Sequence, residues 1–193
     1  MYEEIIISGF GGQGIVFAGQ LLAYAGVAEG YHVTMIPSYG PEMRGGTAHC
    51  TVIISDEEIG SPLVRRPKAA VVLNIPSMER YASYVKPGGV LVLDSTLIPE
   101  RSGRDDIMEV ALPAKQIAED LGSPKFANMV MLGALAEATG VVRIATLEKM
   151  LEMRLEEHHD LSFSANVSAL RRGASIAREV VTSDEGRRIT VNS

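Results

Sequence analysis

The sequence predicts an α/β fold, a three-layer α/β/α sandwich around a mixed but mostly parallel sheet. Three observations lead there. Short runs such as Ile5-Ile6-Ile7, Val71-Val72-Leu73 and Leu91-Val92-Leu93 are apolar at every position, as strands buried on both faces are. Between such runs stand segments whose apolar residues recur at every third or fourth place, the helical period. The first strand also passes directly into the first helix through Gly9-Phe10-Gly11-Gly12-Gln13-Gly14.

Glu4 to Ile7 forms the first strand. Ile15, Ala18, Leu21, Leu22 and Ala25 then set a helix from about Gln13 to Glu29. Tyr31 to Ile36 is the second strand, followed by a loop from Pro37 to Gly46. Thr47 to Ser55 is a third strand, with Asp56-Glu57-Glu58 as a turn and Ile59 expected to pair back as a short hairpin arm, which would make the sheet mixed. Ala69 to Leu73 is buried strand, and Ser77 is placed to cap a helix over Met78 to Val85. Lys86-Pro87-Gly88-Gly89 stops that helix, and Val90 to Asp94 is the next strand. Ile107 to Ala111 is expected at the sheet edge. Pro113 suits the first turn of a helix that carries Ile117, Ala118 and Leu121 and stops at Gly122. Lys125 to Ala138 is so apolar that it must be largely buried. Thr146 is expected to cap a helix through Leu155. The final helix runs from about Ser162 to Val181, with Phe163, Val167, Leu170, Ala174, Ala177 and Val181 on one side. The pattern is Rossmann-like.

Composition narrows the function. A chain of 193 residues with 46% hydrophobic and 22% charged residues suits one domain with a sizeable core. A net charge of −6, no basic run and no tryptophan argue against nucleic acid as a partner. The single cysteine, Cys50, allows no internal disulfide, and an iron–sulfur cluster needs about four thiolates. Met-Tyr-Glu-Glu leads straight into a strand, and no signal peptide is expected. No apolar run reaches the roughly 18 residues of a membrane span. A cytoplasmic location is expected.

The glycine turn is the first candidate site. Bare backbone can approach a ligand closely, and the first N–H groups of the following helix have no internal partner. A phosphate or carboxylate there also meets the positive end of the helix dipole. The same glycines equally serve a tight turn that lets helix and strand pack closely. Gly9-x-Gly11-x-x-Gly14 matches the dinucleotide fingerprint as a string, but the second strand ends in Pro37-Ser38-Tyr39 without the ribose-binding acid. Glu29 has the right spacing but lies before that strand. NAD and FAD are therefore disfavoured, and a generic anion site is expected.

The second candidate is the loop Ser38 to Thr47, which should open at the same carboxyl edge of the sheet. It sets Glu42-Met43-Arg44 between glycines and prolines. A guanidinium can hold a phosphate by two parallel hydrogen bonds. Such a charged bond contributes about 1.5–3 kcal/mol, against about 0.3–1 kcal/mol for an exposed helix dipole. An internal Glu42–Arg44 pair or a contact with another subunit explains the same residues. Asn128, near the start of the apolar helix, either adds an amide to the ligand or is buried and bonded to a neighbouring loop.

Three motifs in order, Gly9-Phe10-Gly11-Gly12-Gln13-Gly14, then Ser38-Tyr39-Gly40-Pro41-Glu42-Met43-Arg44-Gly45-Gly46-Thr47, then Asn128-Met129-Val130-Met131-Leu132-Gly133-Ala134, resemble the gamma subunit of 2-oxoacid:ferredoxin oxidoreductases. In single-chain pyruvate:ferredoxin oxidoreductases this unit is a fused domain. The resemblance covers nearly the whole chain, and the second motif is the specific one. It implies an enzyme that decarboxylates a 2-oxoacid on thiamine diphosphate, passes electrons through iron–sulfur clusters to ferredoxin and releases an acyl-CoA. No Gly-Asp-Gly occurs in this chain, so thiamine diphosphate and Mg, like the clusters, are expected on alpha, beta and ferredoxin-like delta partners. What the resemblance leaves to this chain is CoA. The residues expected to face CoA or a partner are Gly9, Gly11, Gly12, Gln13, Gly14, Ser38, Tyr39, Glu42, Met43, Arg44, Gly45, Gly46, Thr47 and Asn128, with no catalytic group or metal ligand on this chain. A structural subunit that docks through Tyr39, Pro41 and Met43 is the alternative, and an unrelated nucleotide-binding oxidoreductase is a third.

Remaining polar residues read as scaffold. His49 and Cys50, adjacent on a strand, point to opposite faces and cannot share a metal. His158-His159 sits at a helix end beside Glu156-Glu157 and suits solvent. Asp94 and Asn74, at carboxyl ends of strands, suit caps. Arg171, Arg172 and Arg178 suit a wet helix face or an acidic partner.

Overall fold

The computed structural model describes residues 1–38, 47–156 and 162–191. In chain order the elements are β1 (Tyr2–Phe10), α1 (Ile15–Ala28), β2 (His32–Ser38), β3 (Thr47–Ser55), β4 (Ala69–Val72), α2 (Ile75–Tyr81), β5 (Val90–Asp94), β6 (Met108–Leu112), α3 (Ala114–Asp120), α4 (Ala127–Thr139), α5 (Ile144–Glu156) and α6 (Phe163–Val191). Short 3-10 turns, Ala82–Tyr84 and Pro124–Phe126, follow α2 and precede α4.

The six strands form one sheet in the order β2-β3-β1-β4-β5-β6. β3 runs antiparallel to both β1 and β2, and every other pairing is parallel. The sheet is mixed, as expected, but not through a hairpin at Ile59, which lies outside any strand. The antiparallel partner is β3 itself, inserted between β2 and β1, where its apolar residues are covered on both faces. β6 is at the edge, as its position in the sequence suggested.

One face of the sheet carries the larger core, where Ile5, Ile7, Val52, Val71 and Val92 meet α1, α3, α4, α5 and α6. The other face is covered more thinly, by Met78, Tyr81, Val85 and Ile98 over Ile6, Ala70, Val72 and Leu91. α4 is sunk in the larger core, with all ten residues from Ala127 to Ala136 buried. It crosses α6 backbone to backbone. A Cβ on Gly133 would stand 1.9 Å from Leu170 O, and one on Gly173 would stand 1.8 Å from Val130 O.

Several boundaries and caps differ from expectation. β1 continues through Gly9 into Phe10, and β2 continues through Pro37 into Ser38, because β3 offers each a partner that far. α6 extends past Val181 to Val191. The cap of α2 is Asn74, whose Oδ1 accepts from Ser77 N at 2.8 Å, so the helix starts earlier than a Ser77 cap would place it. Ser77 Oγ is instead 2.8 Å from Ser8 Oγ beneath the sheet. Thr146 lies inside the first turn of α5 rather than at its cap. A carboxylate oxygen of Glu29 accepts from Arg143 N at 2.8 Å just ahead of that helix. Glu29 therefore serves the end of the sheet remote from the glycine turn.

Candidate functional site

The direction of α1 and α2 defines where a ligand would sit. α1 leaves β1 over one face of the sheet and α2 leaves β4 over the other, so the strand order switches between β1 and β4. Open α/β sheets bind ligands at the carboxyl ends of strands beside such a switch. A cavity of about 370 Å³ lies there, lined by Phe10, Gly12 and Gln13 after β1, Leu73 after β4, Asp94 and Leu97 after β5, and Lys115, Pro124, Lys125 and Ala127.

The turn is held from inside by two amides. Gln13 Oε1 accepts from Phe10 N at 2.6 Å, and its Nε2 donates to Leu73 O at 3.3 Å, which ties the turn to the end of β4. Asn128 Nδ2 donates to Gly14 O at 3.2 Å, which ties the start of α1 to the start of α4. Both amides reach these bonds only because a glycine leaves room. A Cβ on Gly9 would meet Gln13 Oε1 at 2.5 Å, and one on Gly14 would meet Asn128 Nδ2 at 2.2 Å. Gly14 also has φ +73, a left-handed conformation that L side chains disfavour. Asn128 is thus the buried asparagine bonded to a neighbouring turn. Its Oδ1 is buried without a hydrogen-bond partner among the described residues.

Gly11 and Gly12 differ. A Cβ on either meets nothing within 4 Å, and Gly12 has φ +90. Space beside them is open, and the following α1 brings its unpaired N–H groups to the same place, with no acidic residue in its first turn.

Opposing charge comes from residues that the sequence reading did not single out. Lys115 opens α3 and Lys125 precedes α4, and both reach the cavity. Lys115 Nζ has a loose pair with Glu119 at 3.8 Å, and Lys125 has no ion pair among the described residues. The only sequence signal was their place beside Pro113 and Pro124, which start helices. Asp94, fully buried, accepts from Thr96 N at 3.0 Å and Lys115 N at 3.2 Å, the capping role expected of it. Burial pushes its carboxyl pKa up, against those N–H donors.

Ser38 faces His49 across β2 and β3, and Thr47 faces Phe10 across β3 and β1. Both ends of the intervening loop therefore stand at the edge that carries the glycine turn. Tyr39, Gly40, Pro41, Glu42, Met43, Arg44, Gly45 and Gly46 lie outside the described residues, as do Glu157, His158 and His159. His49 and Cys50 do point to opposite faces. The His49 ring lies 5.9 Å from that of Tyr81, while Cys50 is buried under α1, where burial pushes its thiol up to about 12. A lone thiol so held does not fit an iron–sulfur cluster. Arg171 and Arg178 pair with Glu148 and Glu137 on neighbouring helices, at 2.6 Å each.

Comparison with known proteins agrees with this architecture. The family model described as pyruvate ferredoxin/flavodoxin oxidoreductase matches residues 4–176. The chain is 44% identical over 132 residues to ketoisovalerate oxidoreductase subunit VorA of Methanothermobacter thermautotrophicus, a match that takes in 68% of this chain and spans only 27% of that relative's length. It superposes with a TM-score of 0.78 and 33% identity on the keto/oxoacid ferredoxin oxidoreductase gamma subunit from Geobacter sulfurreducens, covering 91% of this chain and 98% of that one. The 2-oxoglutarate:ferredoxin oxidoreductase from Magnetococcus marinus, solved with 2-oxoglutarate, coenzyme A and succinyl-CoA bound, gives a TM-score of 0.83 at 25% identity, over 92% of this chain and 31% of that one. The chain belongs to the pyruvate ferredoxin/flavodoxin oxidoreductase family, and over nearly its whole length it is similar to a gamma subunit of a keto/oxoacid ferredoxin oxidoreductase.

Proposed function

We propose that this subunit binds coenzyme A for a complex that oxidatively decarboxylates a 2-oxoacid, reduces ferredoxin and releases an acyl-CoA. The carrying observation is the cavity at the carboxyl edge, where open glycines, the start of α1 and two lysines meet. CoA is anionic along its nucleotide end, and those groups are cationic or N–H donors. The Magnetococcus enzyme, a structural relative, holds CoA and succinyl-CoA. Thiamine diphosphate, Mg and the iron–sulfur clusters belong in this reading to alpha, beta and delta partners. The lack of Gly-Asp-Gly and the single cysteine support that division. This chain's own contribution is to seat and orient the thiol carrier, with Arg44 expected to add a guanidinium from the loop between Ser38 and Thr47. A cytoplasmic location goes with such a complex.

Gly11→Val in the assembled complex is the direct test. Its Cβ enters open space, so the fold should hold while the branched side chain denies CoA the backbone. The KM for CoA should rise about tenfold or more, with the KM for the 2-oxoacid unchanged. An unaltered KM for CoA would end the proposal. Arg44→Ala should act in the same direction.

Exposed Phe10 and Ile75, at the carboxyl ends of β1 and β4, favour a second role in docking the thiamine-binding subunit. Phe10→Ser and Ile75→Ser would then lose assembly in pull-down. Intact assembly with lost turnover assigns them to the site instead.

A further inference from the structure

We infer that the cavity takes a nucleoside bisphosphate end of the ligand, and that Lys115 and Lys125 bind the phosphate carried on its ribose, apart from the diphosphate. The inference rests on the CoA reading above and names the part of the ligand that this chain holds.

The cavity draws its positive potential from two separate parts of the chain. The glycine turn and the start of α1 give backbone donors that suit a diphosphate. The lysines come from elsewhere, one at the start of α3 and one ahead of α4. They are not consumed by the protein. Lys125 has no ion pair among the described residues, and the 3.8 Å contact of Lys115 with Glu119 is half exposed on both sides and holds it weakly. Asp94, a carboxylate in the same cavity wall, spends its oxygens on backbone N–H groups rather than on a lysine ammonium.

The rest of the lining is apolar: Phe10, Leu73, Leu97, Pro124 and Ala127. A set of backbone donors and a pair of lysines, joined by an apolar wall, call for a ligand with two anionic groups on a body that tolerates apolar contact. A nucleoside with a 5′-diphosphate and a second phosphate on its ribose has that form. A volume of about 370 Å³ admits the nucleotide end alone, so the thiol-bearing arm must leave the cavity toward the partner subunits.

The test compares CoA with 3′-dephospho-CoA in the assembled complex. In Lys115→Gln/Lys125→Gln, the KM for CoA should rise about tenfold or more, while that for 3′-dephospho-CoA stays within about twofold. Lys125→Arg should restore most of the loss. On the unaltered complex, adenosine 3′,5′-bisphosphate should compete with CoA at least about tenfold better than adenosine 5′-monophosphate, a readout independent of any variant's folding. Equal competition overturns the inference. So does an equal rise in both KM values, which would place the lysines on the diphosphate. If the lysine variants leave CoA unaffected while Gly11→Val does not, this inference fails and the CoA reading stands. If neither alters CoA, both fail.

Discussion

At the crossing of α4 and α6, Gly133 and Gly173 each stand within 2 Å, counted from an added Cβ, of a carbonyl oxygen on the other helix: 1.9 Å and 1.8 Å. At the turn after β1, the same added atom on Gly11 or Gly12 finds nothing within 4 Å. The glycines of the crossing are explained by the chain itself, because two backbones occupy the space a side chain would need. Those in the middle of the turn are not so explained, and the open space beside them is where something other than this chain fits. The turn is moreover divided. Its outer glycines, Gly9 and Gly14, make room for Gln13 and Asn128, the amides that hold it, and so belong with the crossing. A glycine motif can thus be half scaffold and half site.

Substitutions rank the two regions. Gly133→Ala or Gly173→Ala should destabilise most, by about 3 kcal/mol or more, since rigid backbone must move. Thermal unfolding measures this, and a loss below about 1 kcal/mol would mean that the helices are not in backbone contact. Gly14→Ala comes next, at about 2 kcal/mol, from left-handed strain together with the displaced Asn128 bond. Combined with Asn128→Ala it should cost less than the sum of the two single changes, because both break one contact. Strict additivity in denaturant melts would remove Asn128 from the turn's support.

Charge offers a finer distinction. Burial holds the carboxyl pKa of Asp94 above its usual 3.8. A raised folded pKa favours the protonated native form. Its stability contribution is full below the unfolded pKa and is lost as pH rises through the folded one. Relative to wild type, Asp94→Asn should therefore gain stability as pH climbs from about 4 through that raised value. A difference independent of pH would contradict the burial. Smallest of all is Gly11→Ala, which should shift stability by less than about 0.5 kcal/mol. A large loss there would erase the contrast between turn and crossing.

Much of this arrangement could be read from the chain before folding. Uninterrupted apolar runs mark strands covered on both faces, and the spacing of Ile15, Ala18, Leu22 and Ala25 marks the buried side of α1. The burial of α4 and the opposed faces of His49 and Cys50 follow from composition and from strand geometry. These are local properties, set by residue type and by the period of the backbone. The glycine turn could be located in the same way, though not divided into its two parts.

What folding alone decided depends on partners distant in sequence. β3 entered between β2 and β1 because pairing there covers both its faces, a choice invisible in its own nine residues. Of the two caps the chain offers ahead of α2, Asn74 and Ser77, folding selected Asn74, since Ser77 is engaged by Ser8 across 69 positions. Gln13 and Asn128 became supports of the turn because Leu73 and Gly14 came within their reach. Lys115 and Lys125, which nothing in their local sequence singles out, became the charged lining of a cavity when the starts of α3 and α4 came beside the end of β1. Periodicity fixes which side of an element is apolar, but only the packed sheet determines which polar groups meet at its edge.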